Sequence, residues 1–133
     1  MVKISTKGEY GLRAAVNLAQ NYPKIKNVKE ISQEENISLK YLERLVGEMR
    51  KKEIVKSFKG KDGGYILAKK PSEISAGEVI ESMEGKMIPK CYGTNCSNIG
   101  KCASSSVWIK LDEQIKKTLY EIKLSDLIEV KLK

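Results

Sequence analysis

The chain contains no histidine. That absence excludes imidazole acid–base catalysis and any histidine metal ligand within the chain. No apolar run approaches the roughly 18 residues of a membrane span. Met1-Val2-Lys3-Ile4-Ser5 leads into no apolar signal core, so a cytoplasmic protein without membrane association is expected. Cysteine is scarce as well. Three thiols, an odd number, argue against a disulfide framework in that compartment. No glycine-rich nucleotide loop is present and no base stands beside a cysteine, so an enzyme is not expected.

What is present is positive charge. Lys and Arg number 25 against 17 Asp and Glu, a formal net charge of +8 on 133 residues. A polyanionic partner fits that balance, because phosphate contacts release counterions and dominate nucleic-acid affinity. Hydrophobic content is 41%, enough for one domain with a core and an appended arm.

Helical periodicity organises most of the chain. Thr6 to Asn21 reads as a first helix with Tyr10, Leu12, Ala15, Val16, Leu18 and Ala19 on a broad apolar face, and Thr6 and Glu9 have capping-box spacing. Pro23 and Lys24-Ile25-Lys26 interrupt it. A second capping box, Asn27-Val28-Lys29-Glu30, opens a short helix to about Glu35. Asn36-Ile37 makes a tight connection, and Ser38 caps a longer helix whose Leu42, Leu45, Val46 and Met49 form one apolar stripe. Short helix, turn, longer helix with a polar leading face is a helix-turn-helix pattern.

Two β-favouring runs follow, at 54–58 and 65–67, separated by Lys59-Gly60-Lys61-Asp62-Gly63-Gly64. They predict a hairpin whose tip carries Lys56, Lys59 and Lys61, which after a helix-turn-helix is a wing. Ser75-Ala76-Gly77-Glu78 has a third capping-box spacing and starts a helix through Val79, Ile80 and Met83, which Gly85 can end. Serines 104 to 106 can cap a last long helix with Trp108, Leu111, Ile115, Leu119 and Ile122 on one stripe. That stripe most economically meets its own copy in a dimer; folding back on its own core is the other possibility.

Between these helices Cys91-x4-Cys96-x5-Cys102 places all three thiols on a loop rich in Gly, Asn and Ser. Lys90 and Lys101 favour the thiolate forms. Soft thiolates suit iron–sulfur clusters, zinc or copper(I). Zinc sites use tighter cysteine pairs and a fourth ligand, ferredoxin spacings need four cysteines, and non-ligating cysteines remain the plain alternative.

Taken together, Lys3-Ile4-Ser5-Thr6-Lys7-Gly8-Glu9-Tyr10, Ile37-Ser38-Leu39-Lys40-Tyr41-Leu42-Glu43, Gly60 with Gly63-Gly64-Tyr65, Glu84-Gly85 and the three spaced cysteines resemble the IscR/NsrR family of winged-helix bacterial regulators (the Rrf-two superfamily). The resemblance runs from Val2 to about Ile128. It implies a homodimer on double-stranded DNA at a palindromic operator, with an iron–sulfur cluster, [2Fe-2S] or [4Fe-4S], on the cysteine loop. By motif position Ser38, Lys40, Tyr41 and Glu43 would contact bases and phosphates, and Lys59 takes the place of a wing-tip arginine. Arg44, Lys56 and Lys61 are the further DNA-contact candidates. IscR-type members have a histidine three residues after the last cysteine, where this chain has Ser105. NsrR-type members take a carboxylate from the partner subunit's first helix, and Glu9 occupies that place. Cys91, Cys96, Cys102 and Glu9 from the partner subunit are therefore the implied ligand set.

The expected fold is mostly α with a small β-hairpin. Residues 1–85 form a winged helix-turn-helix DNA-binding domain, 86–104 a cluster-binding loop, and 105–133 a dimerisation helix with a C-terminal segment. The expected function is a transcriptional regulator, repressor or activator, that senses iron–sulfur status, redox state or nitric oxide. The alternatives are a cluster-free regulator of the same fold answering to a partner protein, like the cysteine-metabolism regulator CymR, and a zinc-binding structural variant.

Overall fold

The computed structural model describes residues 4–84 and 103–128. Helix α1 spans Thr6–Asn21, α2 Val28–Glu35, α3 Leu39–Lys51, α4 Ala76–Glu84, α5 Ser105–Glu121 and α6 Leu124–Leu127. Strands β1 (Val55–Phe58) and β2 (Gly64–Leu67) lie between α3 and α4, followed by a short 3-10 turn at Pro71–Glu73. The described residues are mostly helical with one two-stranded antiparallel sheet, as expected.

The start of α1 corrects one detail. The N-cap is Ser5, whose hydroxyl accepts from the Gly8 N–H, and Thr6 is already the first helical residue. Glu9 therefore stands one position too late to close a capping box. What fixes the start one residue earlier is Glu84, whose Oε1 accepts from both the backbone N–H and the hydroxyl of Ser5, each at 2.6 Å. Gly8 and Gly11 let α4 lie directly on α1: a methyl group at the first would collide with the Glu84 side chain, and at the second with Met83.

Helices α2 and α3 follow the expected pattern. Asn27 and Glu30 form a complete capping box at the head of α2. Asn36 ends that helix at φ 56°, ψ 47°, a left-handed conformation that asparagine tolerates. Ser32 donates to the Ile37 carbonyl, and the Ser38 hydroxyl then accepts from the Tyr41 N–H to start α3. Leu42, Leu45, Val46 and Met49 are each fully buried. They meet Ala14, Ala15, Leu18, Ile31 and Val79 in one core. Burying such aliphatic side chains is worth about 1.5–3 kcal/mol each, which holds α3 firmly by one face.

Strand pairing sets Val55 opposite Leu67 and Phe58 opposite Gly64. The sheet has a further edge. Lys26 exchanges both backbone hydrogen bonds with Tyr65, tying the segment before α2 to β2. Gly64 is required there, because its φ is +153° and a methyl group would collide with the Lys26 carbonyl. The hairpin is thereby braced against the helix-turn-helix.

At α4 the Ser75 hydroxyl accepts from the Glu78 N–H, while the Glu78 carboxylate contacts that same hydroxyl rather than the Ser75 N–H. Only half of the expected capping box is formed. Helix α5 ends at Glu121, so Ile122 caps it in an extended conformation. Trp108, Leu111, Ile115 and Leu119 are half-buried, while Val107 and Ile109 are exposed. Chain exit is tightly held, with Ala76 and Ile122, and Leu124 and Ile74, joined by backbone hydrogen bonds. Leu124 is fully buried in the same core as α1 to α4. Gly85 lies outside the described residues.

Candidate nucleic-acid interface

With its apolar stripe sunk in the core, α3 turns its opposite side outward. Ser38, Lys40, Glu43 and Arg44 are all exposed. The first turn of α3 carries no acidic residue. Arg50 and Lys51 in the last turn complement the helix dipole and extend the basic surface. Arg44 is held only loosely: its Nε lies 3.9 Å from Glu48 Oε1 and its side chain is 70% exposed. Glu48 makes a closer pair with Lys7 of α1 at 2.7 Å. Such part-exposed pairs contribute little stability, so Arg44 can leave Glu48 for a phosphate at small cost.

Tyr41 differs from its neighbours. It is half-buried, its ring standing edge-on to Tyr10 of α1 at 6.0 Å between centroids and 75° between planes. Arg13 lies 5.3 Å from the centre of the Tyr10 ring. The Tyr41 ring thus belongs largely to the α1–α3 junction. Its hydroxyl makes no hydrogen bond with a described residue.

On the wing, Lys56 lies in β1 opposite Ile66, not at the tip, while Lys59 and Lys61 occupy the turn between the strands. All three are exposed. Phe58 beside them is 50% exposed, a large apolar surface on a basic hairpin.

Sequence reasoning missed the polar network behind this surface. Lys26 is buried to 3% exposure and its ammonium pairs with Glu34 of α2 at 2.6 Å. Buried Asn17 of α1 donates to both Glu34 and Glu35. Arg13 completes the set with Glu35, through its carboxylate and its backbone carbonyl. The Lys26 hydrogen bond, then that of Asn17, hold the Glu34 carboxyl below the usual carboxylate range, against an opposing effect of burial. Since Lys26 also carries the backbone link to β2, the network joins α1, α2 and the wing. The only sequence signal was the Lys-to-Glu spacing of eight, which has no periodic meaning between two different elements.

The proposed cluster ligands divide. Cys91, Cys96 and Cys102 lie outside the described residues. Glu9 is exposed in the first turn of α1, and its carboxylate makes no hydrogen bond or ion pair with a described residue. It is available as an oxygen ligand, one turn along α1 from Ser5, to which Glu84 binds just before the cysteine segment begins.

A profile of the Rrf2 family, described as iron-dependent transcriptional regulators, matches residues 4–130. The chain is 36% identical over 127 residues to the HTH-type transcriptional regulator CymR of Bacillus subtilis, covering 95% of this chain and 89% of that protein. It is 33% identical over 134 residues to the HTH-type transcriptional regulator IscR of Klebsiella pneumoniae, covering 96% and 80%. Among solved structures it is similar to that of CymR, the global cysteine regulator of B. subtilis, with a TM-score of 0.81 at 34% identity, covering 99% of this chain and all of the other. The structure of T. potens IscR follows with a TM-score of 0.79 at 32% identity over 99% and 94% of the two chains.

Proposed function

Because this chain belongs to the Rrf2 family of transcriptional regulators, we propose that it binds a palindromic duplex operator as a homodimer, under the control of an iron–sulfur cluster. In this reading α3 enters the major groove, where Ser38, Lys40, Glu43 and Arg44 face the bases and phosphates. The wing lays Lys59 and Lys61 on the flanking backbone, with Lys56 behind them. Tyr41 contributes its hydroxyl while its ring sets the α1–α3 angle. The second copy packs on α5, where Val107 and Ile109 stand exposed beside the half-buried Trp108 and Leu111.

One observation carries the DNA reading: the exposed side of α3 holds Lys40 and Arg44 around Glu43, on a helix whose other side is fixed by four fully buried residues. A rigid helix with movable polar side chains suits base readout. Selection from randomised duplexes, followed by titration at several salt concentrations, tests it. A two-fold-symmetric consensus and a steep loss of affinity with salt are expected. Failure to enrich any duplex would overturn the reading.

For the control step, three thiolates and one carboxylate form a donor set that suits iron better than a closed zinc site. Cys91, Cys96 and Cys102 would hold the cluster, with Glu9 of the partner subunit as the fourth ligand; Ser105 would have to ionise to serve. When bound, such a cluster supplies a centre that responds to redox state and nitric oxide. Similarity to CymR supports a second reading, in which the same fold has no cluster and answers to a partner protein. Colour separates them. Anaerobically purified protein with sulfur-to-iron charge-transfer absorption supports the cluster, and colourless protein carrying no iron supports the second reading.

A further inference from the structure

Gly47 is out of place in α3. It sits in the interior of the helix, where glycine is among the poorest helix formers because it gives up the most backbone freedom. Other glycines of this chain explain themselves by contact: Gly8 and Gly11 admit α4, and Gly64 admits the Lys26 carbonyl. At Gly47 a methyl group would meet nothing within 4 Å among the described residues. Its φ is not positive either, so no special backbone conformation calls for it. The fold has room for a side chain and does without one.

Direction supplies the rest. At about 100° per residue, Gly47 lies roughly 20° around the axis from Lys40, about 60° from Arg44, and nearly opposite the stripe of Leu42, Leu45, Val46 and Met49. It is therefore central to the outward face, between the cations of the first turns and Lys51 at the end. A bare backbone there lets a surface from outside the chain approach α3 more closely than any side chain permits.

We propose that Gly47 is the point of closest approach between α3 and the DNA duplex, a side-chain-free seat that sets how deeply the helix enters the groove. This rests on the reading of α3 as the DNA-binding helix and adds to it a determinant of depth. Lys40 and Arg44 flank the seat, so the depth it allows decides whether both reach phosphates at once. Any side chain at position 47 lifts the helix, and the loss grows with its size.

The test compares the parent with Gly47→Ala and Gly47→Leu, measuring thermal unfolding and affinity for the operator selected by the parent protein. Both substitutions add helix propensity in open space, so both variants should unfold a few degrees higher. Operator affinity should nevertheless fall, about tenfold for alanine and further for leucine. Stability and binding moving in opposite directions is the signature. Undiminished binding by the alanine and leucine variants would overturn the proposal while leaving the DNA reading intact. A lower unfolding temperature would overturn it too, since the fold would then need the glycine. If the parent itself binds no duplex, the underlying DNA reading has failed instead.

Discussion

Ser5 and Glu84, 79 positions apart, are joined through a single carboxylate oxygen that accepts from both the backbone N–H and the hydroxyl of Ser5 at 2.6 Å. Three features meet here: the N-terminus of α1, the C-terminus of α4, and the point from which the cysteine segment departs. Charge-assisted hydrogen bonds of this kind are stronger than neutral ones. The Ser5 hydroxyl also caps α1, so one side chain serves two helices.

Removing that hydroxyl should therefore cost more than an ordinary cap. Ser5→Ala is expected to destabilise by about 1–2 kcal/mol, and Glu84→Ala by a similar amount, since each leaves partners unmet. In urea unfolding the double variant should lose less than the sum of the two single variants, because both act on one interaction. Strict additivity would show that Ser5 and Glu84 contribute independently.

The misreading of this terminus shows where sequence reasoning stopped. Ser5 and Thr6 are both good caps, and Thr6-x-x-Glu9 has the better local spacing. A residue at position 84 settles the choice, and nothing local announces it. By contrast, the helix-turn-helix was legible because its signals are local: the Asn27–Glu30 box, the asparagine at a left-handed turn, and four apolar residues at helical spacing. The β-hairpin was legible from its glycines. Lys26 was read only as part of a basic interruption, since its burial depends on Glu34 in another helix. Motif position marks Tyr41 only as a DNA-contact candidate, and its edge contact with Tyr10 needs the α1–α3 packing.

The pairing of buried Lys26 with the half-exposed side chain of Glu34 predicts a pH dependence. Glu34 has its carboxyl held below its ordinary value of 4.5 in the folded chain. A depressed carboxylate contributes stability that is fully present above the unfolded-state pKa and is lost as pH falls through the lower folded-state value. Glu34→Gln should remove that part of the acid sensitivity. At neutral pH it should cost about 1–2 kcal/mol, reduced from a fully buried pair because the Glu34 side chain is 49% exposed. Urea midpoints at pH 7 and at successively lower pH check it; the difference between parent and variant should shrink as the pH falls.

Glu43 and Lys59 should fail differently. A carboxylate in the major groove can accept from cytosine N4, so Glu43→Ala should relax base preference at one position per half-site, worth about 1–3 kcal/mol of discrimination. Lys59→Ala should weaken all sequences alike and lower the salt slope by about one unit for each phosphate no longer neutralised. If Glu43→Ala reproduces the parental consensus in a randomised-site selection, Glu43 is not a reading residue.

Cys91→Ser, Cys96→Ser and Cys102→Ser should each abolish iron binding yet leave a folded dimer. Among the described residues, α1 to α4 and Leu124 already build one shared core. Circular dichroism and sedimentation measure the second half of that statement. Loss of the dimer along with the metal would point instead to a structural zinc site, in which binding and folding are one process.

Glu9 offers the sharpest test of the ligand set. Because Ser5 rather than Thr6 caps α1, Glu9 has no capping duty, and its exposed carboxylate is not engaged by any described group. Its removal should leave the fold unaffected, so an effect on iron would be easy to attribute. An oxygen ligand binds iron less tightly than thiolate does. Glu9→Ala should then alter the absorption of anaerobically reconstituted protein and speed cluster loss, while Glu9→Cys should slow it. Mixed dimers carrying Glu9→Ala in one subunit and Cys91→Ser in the other decide which subunit supplies the ligand. Ligation across the dimer places both defects in the same site, so the other site stays intact and half the iron is held normally. Ligation within one chain places one defect in each site and leaves neither intact. Spectra and lifetimes unchanged in both Glu9 variants would remove it from the ligand set.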